Sequence, residues 1–256
     1  MSVKPHRRLL IRPGAIGDCI LSFPTLEAAK ADYTEVWAPR PILPLIRFAD
    51  HTRAIINTGL DRLGVFPGAR VEALETFDSI YSWYGSANEN FREAVRHLPF
   101  TFFPALPPPV EGVPKIPVPA APEEDFAVIQ PFSSNPKKTW PIENFRAVAQ
   151  TLREKGMAVR WIAGPEETLP DDLRDSAVFL EDLYELGCWI STARLYIGND
   201  SGISHLAAAV GTPTIAIFLS TDPQVWAPRG PHVTVLKRPP IEQVRLTASR
   251  VIESYK

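Results

Sequence analysis

The chain has 256 residues, a formal net charge of −2 and a hydrophobic content of 45%. This length allows one large domain or two small ones, and the near-neutral charge gives no reason to expect a nucleic-acid partner. The two cysteines, Cys19 and Cys188, lack metal-ligand spacing. We expect both to be reduced, a disulfide between them being the alternative. No stretch approaches the roughly 18 apolar residues of a membrane span, and the apolar run 9–11 is too short for a signal peptide.

In the first half, short apolar segments alternate with stretches of helical pattern. The predicted strands lie at 8–12, 35–38, 54–56 and 77–84, and the predicted helices at 19–31 and 88–97. Strands that alternate with helices along the chain are typical of a parallel α/β sheet.

The second half repeats this alternation more clearly. The predicted strands lie at 125–130, 158–163, 178–180, 195–197, 214–219 and 233–236, and the predicted helices at 142–155, 183–193, 203–210 and 241–255. The sequence therefore predicts an α/β protein with two Rossmann-like domains, each built on a parallel sheet, that face each other across a cleft.

Proline is abundant, at 27 residues, and many of these prolines lie together in the run 104–122. Such a run can form neither a helix nor a central strand, because proline fixes φ and lacks an N–H donor. We interpret it as a stiff connector between domains 1–120 and 121–256. The alternative is a long surface loop within a single domain.

The most informative segment of the sequence is 199–213, which combines a strand end, a tight turn and a small-residue helix. It directs several backbone N–H groups, a pair of hydroxyl groups that includes that of Ser201, and the His205 imidazole to one place, next to Asp200 and Gly202. The helix dipole favours an anion there, and a phosphate or diphosphate is the natural ligand.

The turn after the first strand contains Gly14, Gly17 and Asp18. The two glycines permit a tight turn and the close approach of a substrate. The spacing does not match the dinucleotide fingerprint. Asp18 is equally well interpreted as a helix N-cap or as a general base.

Two further loops follow strands of the second half. Ser133, Ser134, Lys137 and Lys138 form either a phosphate cradle or a solvated basic loop. In the other loop, Glu167 or its neighbour Glu166 could accept hydrogen bonds from a ribose, as in other doubly wound nucleotide sites. Taken alone, the residues favour a glutamate that only stabilises a helix start.

The fourth predicted strand ends in Trp83 and Tyr84. These aromatic side chains could hold a sugar acceptor, but core packing at a strand end is the slightly better interpretation.

Four ordered segments together resemble glycosyltransferase family 9, the ADP-heptose:lipopolysaccharide heptosyltransferases. They are Leu-Leu-Ile-Arg-x4-Gly-Asp at 9–18, Lys-Thr-Trp-Pro-x3-Phe at 138–145, Gly-Pro-Glu-Glu at 164–167 and the block 199–213. The last segment is the most specific of the four. The resemblance covers the second half well and the first half mainly over its first thirty residues.

The resemblance implies a GT-B-type fold and inverting transfer of a sugar from a nucleotide-diphosphate donor, without an obligatory metal or other cofactor. Carried over by position, Asp18 would deprotonate the acceptor hydroxyl. Ser201 and Gly202, with Lys138 or Lys137, would stabilise the diphosphate. The remaining implied roles are ribose binding by Glu167 or Glu166, shaping of the donor site by His205, and sugar binding or turn support by Asp200.

The resemblance also implies partners: ADP-heptose or another nucleotide sugar as donor, and a lipopolysaccharide-core or related glycan or glycolipid as acceptor. A bacterial cytoplasmic location follows, with peripheral contact at the inner face of the membrane. The first half is shorter than in typical members, which leaves the acceptor open. The alternatives are a catalytically inactive nucleotide-sugar-binding module and a GT-B-type nucleotide-sugar epimerase.

Overall fold

The computed structural model describes residues 4–106, 112–121, 124–165 and 167–254. The chain divides into two compact units, Met1–Gly112 and Val113–Lys256. Part of the proline-rich run and the candidate Glu166 lie outside the described residues.

The first unit contains a five-stranded sheet in the order β3-β2-β1-β4-β5, and all its strand pairs are parallel. This order is that of the first five strands of a doubly wound sheet. The strands are β1 (Arg7–Ile11), β2 (Tyr33–Ala38), β3 (His51–Ala54), β4 (Ser79–Ser82) and β5 (Phe100–Phe102). The helices are α1 (Ile16–Ala28) and α2 (Glu89–Ala94), and short 3-10 helices supply most of the other connections.

The second unit contains a six-stranded sheet in the order β11-β10-β9-β6-β7-β8, again with parallel pairs throughout. Its strands are β6 (Glu124–Gln130), β7 (Ala158–Ile162), β8 (Ala177–Val178), β9 (Ala193–Asn199), β10 (Thr214–Phe218) and β11 (Val233–Lys237). Its helices are α3 (Ile142–Glu154), α4 (Asp171–Arg174), α5 (Leu183–Ile190), α6 (Gly202–Ala209), α7 (Pro223–Trp226) and α8 (Ile241–Ser254). The two parallel sheets confirm the predicted α/β class.

The strand order of the second unit reverses between β6 and β9. The chain runs from β6 outward to β7 and β8, and then returns to β9 on the other side of β6. Ligands of open α/β sheets bind outside the carboxyl ends of the strands at such a reversal. The loops that follow β6 and β9 therefore mark the edge where a donor site is expected.

Helix α1 begins at Ile16, three residues before the predicted start. Gly14 adopts a left-handed φ of +124°, and Ala15, rather than Asp18, is the N-cap residue. Asp18 lies at the third helical position, where its carboxylate accepts a hydrogen bond from the Ala15 N–H at 3.0 Å. The predicted N-cap role of Asp18 is thus wrong in position, although the carboxylate does stabilise the helix start.

Two further predictions for the first unit need correction. The third strand ends at Ala54 instead of beginning there, because Ile55 opens a 3-10 turn. The short edge strand β5 was not predicted, since three residues after Pro99 give too little alternation to recognise.

The division between the units falls within the proline-rich run, before the predicted boundary at residue 120. Ile116 is buried, and its N–H donates to the Ala209 carbonyl at 2.9 Å. The Tyr184 hydroxyl donates to the Pro117 carbonyl at 3.1 Å. These contacts attach the segment after Gly112 to the second unit.

Candidate active site

Asn199 organises the reversal point of the second sheet. This residue ends β9 and is completely buried. Its Nδ2 donates to the Pro131 carbonyl at 2.8 Å, and its Oδ1 accepts from the Trp140 N–H at 2.9 Å. One amide side chain therefore ties both ends of the 131–140 loop to β9.

We predict that Asn199→Leu destabilises the protein by about 2–4 kcal/mol, because it leaves a buried carbonyl and a buried N–H unpaired. Urea unfolding of the full chain measures the change, and Asn90→Ala on the exposed face of α2 is the matched control. Equal unfolding midpoints for the two variants would contradict this role.

Helix α6 presents its N-terminus at the same edge. Its N-cap residue, Ser201, makes no side-chain hydrogen bond to the helix. Instead, its hydroxyl donates to Oε1 of the buried Gln130 at 3.1 Å. The first N–H groups of α6, beginning with Gly202, therefore have no side-chain cap, and they combine with the helix dipole to favour an anionic ligand. Gln130 was not predicted as a site residue.

An ion pair lies beside this helix end. Lys138 Nζ is 2.8 Å from Oδ2 of Asp200, whose side chain is only 6% exposed. The Thr221 hydroxyl donates to the same oxygen, and the Ser133 hydroxyl donates to the Asp200 carbonyl at 3.3 Å. The structure thus brings together three predicted residues, Ser133, Lys138 and Asp200. It adds Thr221, which sequence reasoning missed.

Two predicted residues of the same loop lie further from this cluster. Ser134 and Lys137 are both exposed, and the Lys137 N–H donates to the Asn135 side chain at 3.0 Å. Between the two candidate lysines, the geometry favours Lys138 as the one that faces a ligand at α6. The roles of Ser134 and Lys137 stay predictions.

His205 lies in the first turns of α6 with 5% of its surface exposed. Its Nδ1 is buried and has no hydrogen-bond partner within the described parts of the chain. Burial lowers the pKa of His205 to about 4, while Asp200 opposes this shift and Lys138 reinforces it. The imidazole is therefore neutral at pH 7, and its role in shaping the donor site stays a prediction.

The depressed pKa of His205 predicts a pH-dependent stability. An unfolded histidine binds its proton below about pH 6.5, whereas the folded one stays neutral down to about 4. The contribution of His205 to the free energy of unfolding is therefore fully present well above pH 6.5, and it is lost as the pH falls from about 6.5 towards 4. Between pH 7.5 and pH 5.0 we expect a loss of about 2 kcal/mol from this group. Urea unfolding of the wild type and of His205→Gln at both pH values measures it, and an equal pH effect in both proteins would contradict it.

Glu167 closes the turn after β7. Its Oε2 accepts a hydrogen bond from the Gly164 N–H at 2.6 Å, and its own N–H donates to the Gly164 carbonyl at 3.0 Å. The carboxylate thus shapes this loop in the ligand-free chain. Its role in holding a ribose stays a prediction.

In the first unit, Asp18 lies at the carboxyl edge of the sheet, with Gly17 in the same helical turn. A Cβ atom on Gly14 would lie 3.1 Å from the Asp18 carboxylate, which explains the glycine beyond its left-handed φ. Asp18 Oδ2 is taken by the Ala15 N–H. Within the described ranges, Oδ1 makes no hydrogen bond or ion pair, and the role of Asp18 as a base stays a prediction.

The aromatic candidates are packed into the first unit. Trp83 is 3% exposed and stacks on Phe103 with ring centroids 4.8 Å apart. Tyr84 meets Phe91 edge to face, and burial raises the pKa of Tyr84. Packing accounts for both side chains, and their contact with an acceptor stays a prediction.

The described residues lack the features of a metal centre and of a membrane span. They contain no group of three or more His, Cys, Asp or Glu residues arranged to hold a metal ion. They also contain no helix with the length and apolar character needed to cross a membrane. Cys19 and Cys188 are unpaired.

The fold is that of the GT-B glycosyltransferases. The structure of E. coli ADP-heptose lps heptosyltransferase II superposes with a TM-score of 0.73 at 16% identity, covering 97% of this chain and 99% of that one. The structure of E. coli heptosyltransferase WaaC with ADP-2-deoxy-2-fluoro heptose gives a TM-score of 0.64 at 16% identity, covering 98% and 100%.

The sequence of the second unit matches one family of glycosyltransferases. The family model for glycosyltransferase family 9 (heptosyltransferase) matches residues 115–252, which is more than half of the chain. The chain therefore belongs to glycosyltransferase family 9. It is 34% identical over 119 residues to lipopolysaccharide heptosyltransferase 3 of Escherichia coli. This alignment covers 41% of the chain and only 34% of that relative's length.

Proposed function

We propose that this protein is an inverting glycosyltransferase that moves a heptose from ADP-heptose to a lipopolysaccharide-core or related glycan. One observation carries the proposal: the helix α6 N-terminus has no side-chain cap and lies beside the Lys138–Asp200 ion pair, at the reversal point of the second sheet. The choice of ADP-heptose rests on the solved WaaC structure, which holds ADP-2-deoxy-2-fluoro heptose.

The donor diphosphate would accept hydrogen bonds from the first N–H groups of α6 and from the Lys138 ammonium group. These donors stabilise the negative charge that develops on the diphosphate as it leaves. The neutral His205 would contribute a ring nitrogen without adding charge. Glu167 is proposed to hold the ribose hydroxyls, and Asp200 to keep Lys138 and Thr221 in place.

The acceptor hydroxyl would give its proton to Asp18. The oxygen of the acceptor hydroxyl then bonds to the anomeric carbon while the bond from that carbon to the diphosphate breaks. This displacement inverts the configuration at the anomeric carbon. No metal enters this scheme. We propose a glycan or glycolipid acceptor and peripheral contact with the inner face of the membrane. Both depend on the first unit, which lies wholly outside the matched residues 115–252.

The test is ADP release from ADP-heptose by the full chain, with and without deacylated lipopolysaccharide core oligosaccharide. Acceptor-dependent ADP release, with an inverted glycosidic linkage by NMR, is the expected result. ADP binding without release would indicate an inactive binding module. Isomerisation of the nucleotide sugar without acceptor would indicate an epimerase.

A further inference from the structure

Arg12 is a buried cation that the proposed reaction does not use. It follows β1 directly and is only 1% exposed. Burial lowers the pKa of its guanidinium, and nearby Cys19 and Asp18 oppose that shift. Within the described chain it forms no ion pair. Burying an unpaired charge is costly, and the hydrogen bonds of the guanidinium group offset part of that cost.

The guanidinium of Arg12 connects three parts of the first unit. Its Nε donates to the Ser22 hydroxyl at 2.7 Å, and its Nη2 donates to the Asp18 carbonyl at 3.3 Å. Its Nη1 donates to the Ala105 carbonyl at 3.2 Å, in the chain that leaves β5. Ser22 also donates to the Asp18 carbonyl, at 2.7 Å. The Asp18 carbonyl therefore accepts hydrogen bonds from two side chains, those of Arg12 and Ser22.

Gly112 also lies against α1. Gly112 has a φ of +82°, and a Cβ atom there would lie 3.0 Å from Cβ of Pro24 in α1. Helix α1 thus contacts the chain at Ala105 through Arg12 and at Gly112 through Pro24.

We propose that Arg12 is a positioning residue for Asp18, an inference that rests on the proposed role of Asp18 as the base. Arg12 fixes the first turn of α1 to the end of β1 and to Ala105. The Ala15 N–H then holds one carboxylate oxygen, so that the other has a single direction. Displacing a reacting group by about 1 Å can reduce a rate about a hundredfold.

The test compares Arg12→Met and Arg12→Lys in the full chain, with Arg8→Met as the matched control. Arg8 lies in β1, the strand that Arg12 follows, and donates to the Ala29 carbonyl at 2.8 Å, just beyond the far end of α1. We expect Arg12→Met to lower kcat for ADP release, with ADP-heptose and core oligosaccharide, by about tenfold to a hundredfold. The ADP affinity of Arg12→Met should stay within about twofold of wild type, and so should the kcat of Arg8→Met.

Lysine keeps the charge but cannot span the three acceptors, so Arg12→Lys should give an intermediate kcat. If Arg12→Met does not fold, the kcat of Arg12→Lys alone tests the positioning role of Arg12. Wild-type kcat in folded Arg12→Lys and Arg12→Met overturns the inference, as does an equal loss in Arg8→Met.

Hydrogen exchange separates this inference from the proposed function. Peptide 13–22 should exchange faster in Arg12→Met than in Arg8→Met, whatever the reaction. If Asp18→Asn keeps full activity, the proposed base is wrong even when exchange follows this pattern. If Asp18→Asn is inactive and exchange of the peptide is unchanged in both Arg12 variants, the positioning role of Arg12 is wrong.

Discussion

Asp18→Asn is expected to lose transfer activity by about 10²- to 10⁴-fold while it binds ADP as tightly as the wild type. Asparagine has almost the same shape, and its Oδ1 can still accept the hydrogen bond from Ala15 N–H. The start of α1 therefore stays intact, and only the ability to take a proton is lost. The measurement is kcat for ADP release with core oligosaccharide as acceptor.

The matched control for this substitution is Asp78→Asn. Asp78 also uses a carboxylate oxygen to accept a backbone hydrogen bond, from Arg7 at 2.8 Å, at the start of β1 on the opposite edge of the sheet. It should leave kcat within about twofold of wild type, since it is remote from the reaction. Similar activity in the two variants would exclude Asp18 as the base.

Lys138→Ala is expected to weaken ADP binding by about tenfold to a hundredfold, the worth of a charge-assisted hydrogen bond. The loss has two physical causes. First, the diphosphate loses its contact with the Lys138 ammonium group. Second, the buried Asp200 carboxylate no longer has its ion-pair partner at 2.8 Å, and it repels the diphosphate. Calorimetric titration with ADP measures the change in affinity.

A double variant separates these two causes. Lys138→Ala with Asp200→Asn should bind ADP better than Lys138→Ala alone, because the uncompensated carboxylate is gone. Lys155→Ala is the control, as it removes only an ion pair with Glu253 at the surface of the second unit. The same ADP affinity in Lys138→Ala and Lys155→Ala would remove Lys138 from the donor site.

The parts of the site that could be predicted from sequence are local. The 199–213 block combines an apolar strand, small residues and Gly211, whose φ of +93° ends α6 as predicted. Each of these signals acts within a few residues, so strand, turn and helix follow from the sequence. The helix N-terminus, where we propose an anion site, could therefore be predicted from the sequence.

The partners that complete the site could not be predicted, because they are distant in the chain. Asn199 contacts Pro131 across 68 positions, Ser201 contacts Gln130 across 71, and Thr221 contacts Asp200 across 21. Only the strand order brings these residues to one edge. An asparagine in an otherwise apolar strand was the one available signal, and it does not reveal which loop the amide holds.

The error at the start of α1 has a local cause, and the role of Arg12 could not be predicted for another reason. The start of α1 was placed too late because Gly14 and Gly17 resemble a longer turn, whereas only Gly14 needs the left-handed conformation. The carboxylate of Asp18 then stabilises a helix that begins at Ile16. The buried Arg12 gave no signal at all, since a charged residue at a strand end is ordinarily solvated.

The most direct test of the account is a calorimetric titration of the full chain with ADP, UDP and GDP. We predict that ADP binds in preference to the other two and that Lys138→Ala weakens this binding. Failure of all three nucleotides to bind, or an ADP affinity that is unchanged in Lys138→Ala, would contradict a donor site at the N-terminus of α6.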